Sequence, residues 1–414
     1  MTDEIDTSKM SKGKADAMEA AEAARDAGKK GVKSYAGGLF MGDADFDLIY
    51  PFPEQPEADV KAGEQFISQL KDVMENHVDA DKIDREGEIP DEVFKKLADI
   101  GAFCIKIPTK YDGLGLSQTN YSKSAMLLGR HCGNITALIS AHQSIGVPQP
   151  LLLFGTEEQK KKHLPRFRKG DVSAFALTEE TVGSDPAQMT TYAELSEDGT
   201  HYVINGDKLW CTNGVKASVI IVMARTPDVE IKGKMRKSIS AFIVDMDTPG
   251  VELVVRCRFM GLKALYNGIV RFTDAKIPVE NLVAGEGRGL KVALSTLNTG
   301  RLTLPAACVG LMSSCLKISR EWGSTREQWG CVIGKHQAIA DKITKTAISN
   351  FATETIVLFT SSLVDGKKAD IRVESAMCKM WGTEEAWRVA DDTLQIRGGR
   401  GYETADSLKN RGME

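Results

Sequence analysis

What this chain lacks narrows it first. Neither sign of charge dominates: Lys and Arg number 53 against 57 Asp and Glu, and a formal net charge of −4 offers no footprint for nucleic acid or an anionic membrane surface. No apolar run approaches the roughly 18 residues that cross a bilayer. The N-terminal MTDEIDTSKM has neither the basic nor the apolar region of a secretory signal and is too acidic for a transit peptide. Cysteines number 8, none in a CxxC pair; a chain of 414 residues can build a core without disulfide staples, so buried reduced thiols in a cytosolic protein are expected. The 6 histidines are scattered, with no HExxH and no His/Cys cluster, so no metal site is expected. Strand–helix alternation is missing as well, which argues against a Rossmann domain. Gly285-Glu286-Gly287-Arg288-Gly289 carries the glycines of a dinucleotide motif without its strand-turn-helix setting.

What is there is ordinary in bulk and ordered in sequence. A 42% hydrophobic and 27% charged composition is that of a soluble globular protein, and the length suggests about two to four domains. Residues 1–55 form a polar arm whose second half, with Tyr35, Leu39, Phe40 and Ile49, is expected to pack on something. Residues 56–171 read as helical: Phe66, Leu70, Val73 and Met74 share one face, as do Val93, Leu97 and Ile100 behind a candidate cap at Asp91. KYDGLGLS (110–117) is a glycine loop, and an apolar stretch from Ile135 to Phe154 breaks near Pro148 and Pro150.

The character changes at 172. Residues 202–210 read as strand, turn, strand, with a tight hairpin at Asn205-Gly206, and SVIIVMAR, SISAFIVDM, VELVVR and GIVRFTDAKI follow as four more strands. From 287 to 414 the chain is helical again. Ala376, Met380, Trp387, Ala390 and Leu394 fall on one face of a long helix, as in a bundle, and Ile339, Ile343 and Ala347 mark the helix before it. The class is α+β: helices, then an all-β unit, then helices.

Four stretches could carry chemistry. In AFALTEETVGSD (174–185), a strand runs into Thr178 and a glycine turn whose hydroxyl and N–H groups can bind a planar heterocycle or phosphate; by itself it also reads as a polar loop. LWCTNG (209–214) offers an aromatic face at Trp210 and a hydroxyl at Thr212, or only a hairpin edge. Arg326 in STREQWG (324–330) could pair bidentately with phosphate, or be a solvated charge. The glycines of QIRGGRG (395–401) allow close backbone approach to a ligand, and they also end helices.

In this order and spacing the stretches resemble the acyl-CoA dehydrogenases. The very-long-chain branch is nearest, through SYAGGLFMGD (34–43), AHQSIG (141–146) and LNTGR (297–301). The resemblance implies an N-terminal helical domain, a middle β-domain and a C-terminal four-helix bundle. It implies FAD between the β-domain and the bundle, in at least a homodimer whose subunits share the cofactor. It assigns flavin contacts to Phe175, Leu177, Thr178, Gly183, Ser184, Trp210, Cys211 and Thr212, with the Thr212 hydroxyl at flavin N5. Arg326, Trp329, Gln337, Gln395, Gly398 and Gly399 would hold the partner's cofactor, and Ser184, Asn298 and Arg301 would meet substrate. The implied reaction converts a long-chain fatty acyl-CoA to the trans-2-enoyl thioester, the first step of β-oxidation. A Glu removes the α-proton, and electron-transferring flavoprotein is the expected acceptor. The acyl pocket floor is expected between Ile135 and Gln149.

The base is where this sequence departs. The family's Tyr/Phe-Glu-Gly triplet does not follow Gly401, and the alternative Glu before an Arg is replaced by Gly300 before Arg301. Glu403 and Glu414 lack either context. The expectation is therefore a chain cut from a longer one, with its base, a further helical region and any membrane-associating part beyond Glu414. An acyl-CoA oxidase-like enzyme and a non-catalytic assembly subunit are the competing readings. A bacterial cytoplasm is expected, with the mitochondrial matrix as alternative. Two further departures stand out: Glu180 where the family has Pro, and Trp329 where it has Phe or a close relative. Pro305, inside a helix that usually runs unbroken, is expected to kink it.

Overall fold

The computed structural model describes Met10 and residues 34–231, 234–367 and 369–413; the rest of the arm's first 33 residues and Glu414 lie outside the described residues. The arm's second half opens with helix α1 (Tyr35–Met41). Ser34 Oγ accepts the Gly37 N–H and donates to the buried Glu374 carboxylate, which also accepts the Ala36 N–H at 2.9 Å. Tyr35 meets Phe359 edge-on at 5.5 Å. Of the residues expected to pack, Tyr35 does, while Leu39 and Phe40 face solvent.

Seven helices follow: α2 (Glu57–Asn76), α3 (Ala80–Glu86), α4 (Asp91–Asp99), α5 (Gln118–His131), α6 (Gly133–Ser140), α7 (Pro148–Phe154) and α8 (Glu157–His163). Phe66, Leu70, Val73 and Met74 are buried along α2, and Val93 and Leu97 along α4, in one core with Phe103 and Tyr121. Pro90, not Asp91, is the N-cap of α4; Asp91 is its first residue and makes no cap bond, adding only its charge to the helix start. The apolar stretch from Ile135 runs through α6 into a π turn at Ala141–Ile145. It stops at Gly146, where a Cβ would fall 2.4 Å from Ser173 Oγ. Pro148 then opens α7, where its missing N–H costs nothing.

The β unit comprises β1 (Ser173–Ala176), β2 (Tyr192–Leu195), β3 (His201–Cys211), β4 (Val219–Ile231), β5 (Lys234–Asp245), β6 (Val251–Arg256), β7 (Gly268–Pro278) and β8 (Leu282–Val283). The strand order is β6-β7-β3-β2-β4-β5-β8, with β1 parallel to β4 at Phe175↔Ile221. Asn205-Gly206 is not a hairpin. Residues 201–211 form one strand, and the pair makes a bulge against β7, with Gly206 at φ +137° and Asn205 Oδ1 accepting the Asp274 N–H at 2.8 Å. A positive-φ glycine beside Asn serves either feature, so local chemistry alone does not separate them.

The C-terminal part holds α9 (Gly289–Gly300), α10 (Thr303–Thr325), the ribbon β9 (Glu327–Gln328) and β10 (Cys331–Val332), α11 (Gln337–Gly366), α12 (Arg372–Arg397), α13 (Gly399–Tyr402) and α14 (Ala405–Asn410). Pro305 kinks nothing. The chain breaks at Arg301-Leu302, and Pro305 sits in the first turn of α10, where its N–H would have no helical partner. α10 crosses α5 backbone to backbone: a Cβ at Gly129 would lie 2.2 Å from Ala307 O, and one at Gly310 1.9 Å from Met126 O.

One expectation is qualified and one fails here. Gly289–Thr325, which runs over α9 and α10, and Gln337–Gly366 are long and apolar enough to cross a membrane by length and composition, though neither contains an unbroken apolar run of that length. They lack charge rather than polarity: Thr346, Thr353, Thr360 and Ser361 are buried along α11, so counting unbroken apolar runs passes over them. The face of α12 carrying Met380, Trp387 and Leu394 is exposed; its inner face is Ser375, Cys378, Gly382, Ala386 and Val389. Small residues face inward because the helices approach closely, with a Gly382 Cβ only 2.8 Å from Pro305. All eight cysteines are free thiols, with Cys257, Cys308 and Cys331 partly exposed.

Candidate functional site

Strand β1 ends by delivering half-buried Phe175 and Leu177, then Thr178, to the edge of the sheet. The loop that follows closes on itself through paired bonds between Glu179 and Val182, leaving Gly183 and Ser184 exposed. It is joined to β3 where that strand is irregular. Leu209 N–H donates to Thr178 O at 2.8 Å, and the register shifts between Lys208 and Cys211. Inside this shift Trp210 adopts φ +52°, an uncommon conformation for a bulky residue, with its indole 56% exposed. The backbone thus stores strain to present an aromatic face beside the Thr178 loop.

Beneath the loop lies a buried ion pair. Lys208 Nζ donates to Glu179 Oε1 at 2.7 Å and to Leu177 O at 3.2 Å. The carboxylate also accepts the Thr190 N–H and hydroxyl and the Thr191 N–H. Burial works against ionisation of Glu179, but Lys208 and the Thr190 donors outweigh it and hold the carboxyl down at about 2. Thr212 Oγ donates to Asn267 Oδ1 at 2.9 Å, which fixes its rotamer and leaves its lone pairs free to accept. The Cys211 side chain points the other way, into the sheet core, where burial pushes its thiol up to about 12; only its backbone can face a ligand.

A second constellation sits at the far end of the helices. Arg326, Trp329, Gln395, Gly398 and Gly399 line one cavity of about 850 Å³. Gln337 starts α11 between two residues that line it, His336 and Ala338, but does not line it itself. Trp329 is 91% exposed at φ +51°, in the tight turn between β9 and β10. Around the Trp322 ring stand the guanidinium groups of Arg326, Arg397 and Arg400, at 5.9, 4.8 and 4.8 Å from its centroid. None of these three is ion-paired among the described residues, whereas Glu403, in the same cavity, is taken by Arg411. A cationic cluster without a direct ion-pair partner among the described residues, set in a concave site, suits a phosphate-bearing ligand.

At the end of α9 the two expected substrate residues meet each other: Arg301 Nη1 donates to Asn298 Oδ1 at 3.0 Å. Between them Gly300 has little room, since a Cβ there would lie 2.9 Å from Ile145 Cγ2. The stretch expected to floor the acyl pocket packs with His142, Gln143 and Ser144 buried, and Ser144 Oγ bridges Tyr121 Oη and Thr303 Oγ at 2.9 and 2.8 Å.

Family models for the N-terminal, middle and C-terminal domains of acyl-CoA dehydrogenase match residues 61–171, 174–275 and 287–413 in turn. The chain belongs to the acyl-CoA dehydrogenase family. Among curated acyl-CoA dehydrogenases, the probable acyl-CoA dehydrogenase FadE10 of Mycobacterium tuberculosis is 47% identical over 379 residues, covering 92% of this chain and 58% of that protein. The very long-chain specific mitochondrial enzyme of Rattus norvegicus is 34% identical over 385 residues, with the same coverage. The crystal structure of an acyl-CoA dehydrogenase complexed with FAD from Bacillus anthracis superposes with a TM-score of 0.75 at 30% identity, covering 85% of this chain and 62% of that one. The chain spans 58% of the length of the curated acyl-CoA dehydrogenases it matches.

Sequence reasoning passed over Trp322, Arg397, Arg400 and the Glu179–Lys208 pair. The two arginines stand in QIRGGRG, where the glycines between them are the stronger local signal. The ion pair joins residues 29 apart and leaves no local signal.

Proposed function

We propose that the protein carrying this chain is an FAD-dependent acyl-CoA dehydrogenase that introduces a trans double bond between Cα and Cβ of a long-chain acyl-CoA. One observation carries the reading: the backbone bond from Leu209 to Thr178 sets the Thr178 loop beside a strained, exposed Trp210. An indole face, a loop with free N–H groups and the Thr212 hydroxyl fit the edge and plane of a flavin ring, and the cavity around Trp322 fits the phosphates of a dinucleotide. Bound FAD would supply hydride acceptance from the substrate β-carbon. The chain's own contribution is placement. Trp210 would cover one side of the ring, Thr178, Gly183 and Ser184 would bind its polar edge, and Asn298 with Arg301, joined at the end of α9, would meet the acyl-CoA. Arg326, Gln395, Gly398 and Gly399 would bind the cofactor of a second copy, which makes the working unit a homodimer or larger. Exposed Met380, Trp387, Leu394, Ile348 and Phe351 suit the surface such a copy would cover.

We assign no catalytic base to these residues. Gly300 offers no carboxylate, and Glu403 is held by Ser407 and Arg411. The likeness to a very-long-chain enzyme supports a long acyl chain, and electron-transferring flavoprotein is the acceptor we assign. Greater identity to a mycobacterial than to a mitochondrial relative favours a bacterial cytoplasm.

The purified 414-residue chain is expected to be yellow and to stay yellow when a long-chain acyl-CoA is added without oxygen. Prompt bleaching would place the base within these residues. A chain that takes up no FAD at any concentration would remove the flavin reading itself.

A further inference from the structure

The buried pair beneath the loop has a geometry that stability alone does not explain. Lys208 is fully buried and Glu179 nearly so. Exchanging such a pair for well-packed apolar groups is often neutral or stabilising, so its presence calls for another account. Its bonds supply one. Lys208 Nζ reaches Leu177 O at the end of β1 and Glu179 in the loop. Through the carboxylate it also reaches Thr190 and Thr191, the residues leading into β2. Lys208 itself lies two residues before Trp210, on the near side of the register shift. One ammonium and one carboxylate thereby tie three separate segments at the point where the loop and the strained strand end meet.

We infer that Glu179 and Lys208 are a positioning pair that fixes the loop Thr178–Asp185 against the strand end carrying Trp210 and Thr212, presetting the surface that receives the flavin. This rests on the reading that these residues face the flavin, and it adds two residues that touch neither cofactor nor substrate. The alternative is that the pair merely supports the β unit as a whole. The two differ in what loosens when the pair is removed. A positioning pair releases the loop and leaves the central strands intact.

The test compares Lys208→Met, Glu179→Met, the double variant and Glu179→Gln with the unaltered chain by backbone hydrogen exchange without cofactor, and titrates each with FAD. In either Met single variant the amides that close the loop, those of Glu179, Val182 and Leu209, are expected to exchange at least ten-fold faster. Those of Ile220–Val222 in β4 should be unchanged. FAD affinity should fall ten-fold or more. The double variant should recover thermal stability without recovering loop protection, visible circular dichroism of the flavin or FAD affinity. Should the Met variants not fold, Glu179→Gln, which keeps the volume and removes the charge, reads the same amides. Unchanged loop exchange, or acceleration spread equally into β4, overturns the inference. If the unaltered chain binds no FAD, the flavin reading fails, and the exchange results still decide whether the pair positions the loop.

Discussion

In α2 and α4 the apolar residues at helical spacing, Phe66, Leu70, Val73, Met74, Val93 and Leu97, are all buried. In α12 the same kind of spacing places Met380, Trp387 and Leu394 in solvent, with Trp387 77% exposed. The earlier helices close on a core they share with the sheet's neighbours. The later ones pack tightly through glycine, alanine, serine and threonine and leave their large side chains outside. Periodicity identifies a face that needs cover. It does not identify the cover, which can be another part of the fold or another chain.

The sharpest way to break this comparison is to truncate one residue from each face. Leu97→Ala removes a fully buried side chain and is expected to cost about 2–5 kcal/mol, read as a fall in the urea midpoint. Leu394→Ala, half exposed, is expected to change the stability of the single chain by less than about 0.5 kcal/mol. Equal losses at the two sites would mean that the α12 face is already covered within one copy.

Acid sharpens it from the other side, because the buried histidines lie in the closed half. His142 donates from Nε2 to Phe103 O at 2.8 Å and accepts the Ser173 N–H at Nδ1, so its neutral tautomer is fixed. Burial pushes it down to about 4, and burial does the same to His163, whose ring nitrogens have no partner among the described residues. Both folded values lie below the unfolded one near 6.5, so the unfolded chain takes up protons first as pH falls. Their contribution is whole above pH 6.5 and is lost on the way to pH 4, on the order of 3 kcal/mol each. Glu179 is the reverse case in group but not in sign: its contribution stands above about 4.5 and is lost only toward pH 2. Chemical denaturation across pH 4–7 should show the slope. His163→Leu, which gives up no hydrogen bond, should reduce it without weakening the protein at pH 7. A slope unchanged by His163→Leu would exclude that residue as a source.

A smaller effect on stability but a larger one on assembly is expected at the open face. Trp387→Lys with Phe351→Lys should leave the thermal midpoint within a few degrees and shift the sedimentation of the chain to a single copy. Association that survives both charges would place any contact between copies on another surface.

Much of the fold was legible because helix and strand periods survive burial: the order of helices, sheet and helices, and the buried residues of α2 and α4, were all readable from spacing. The bulge at Asn205-Gly206 was not, because the residues that tolerate positive φ serve turns and bulges alike. Pro305 was misread because the break at Arg301-Leu302 is set by tertiary packing. The stretches assigned to a flavin were singled out by resemblance, and the fold brings Thr178 and Trp210 together through the bond from Leu209 to Thr178. The three guanidinium groups around Trp322 needed the fold, since helix ends separated by about seventy residues meet only there.

The weakest tie tests how far the two halves depend on each other. Helix α14 is attached to α3 by two exposed pairs, Arg85 with Asp406 at 2.7 Å and Lys409 with Asp81 at 3.0 Å. None of its residues is buried. Such pairs contribute little to stability and weaken with salt, because their attraction acts through water. Arg85→Ala should therefore leave the unfolding midpoint nearly unchanged while hydrogen exchange in residues 405–410 accelerates several-fold. Raising the salt should produce the same local acceleration in the unaltered chain. If α14 stays protected in Arg85→Ala at high salt, something other than charge holds α14 to α3, and this outer contact resembles the close crossing of α10 and α5 more than its exposed surface suggests.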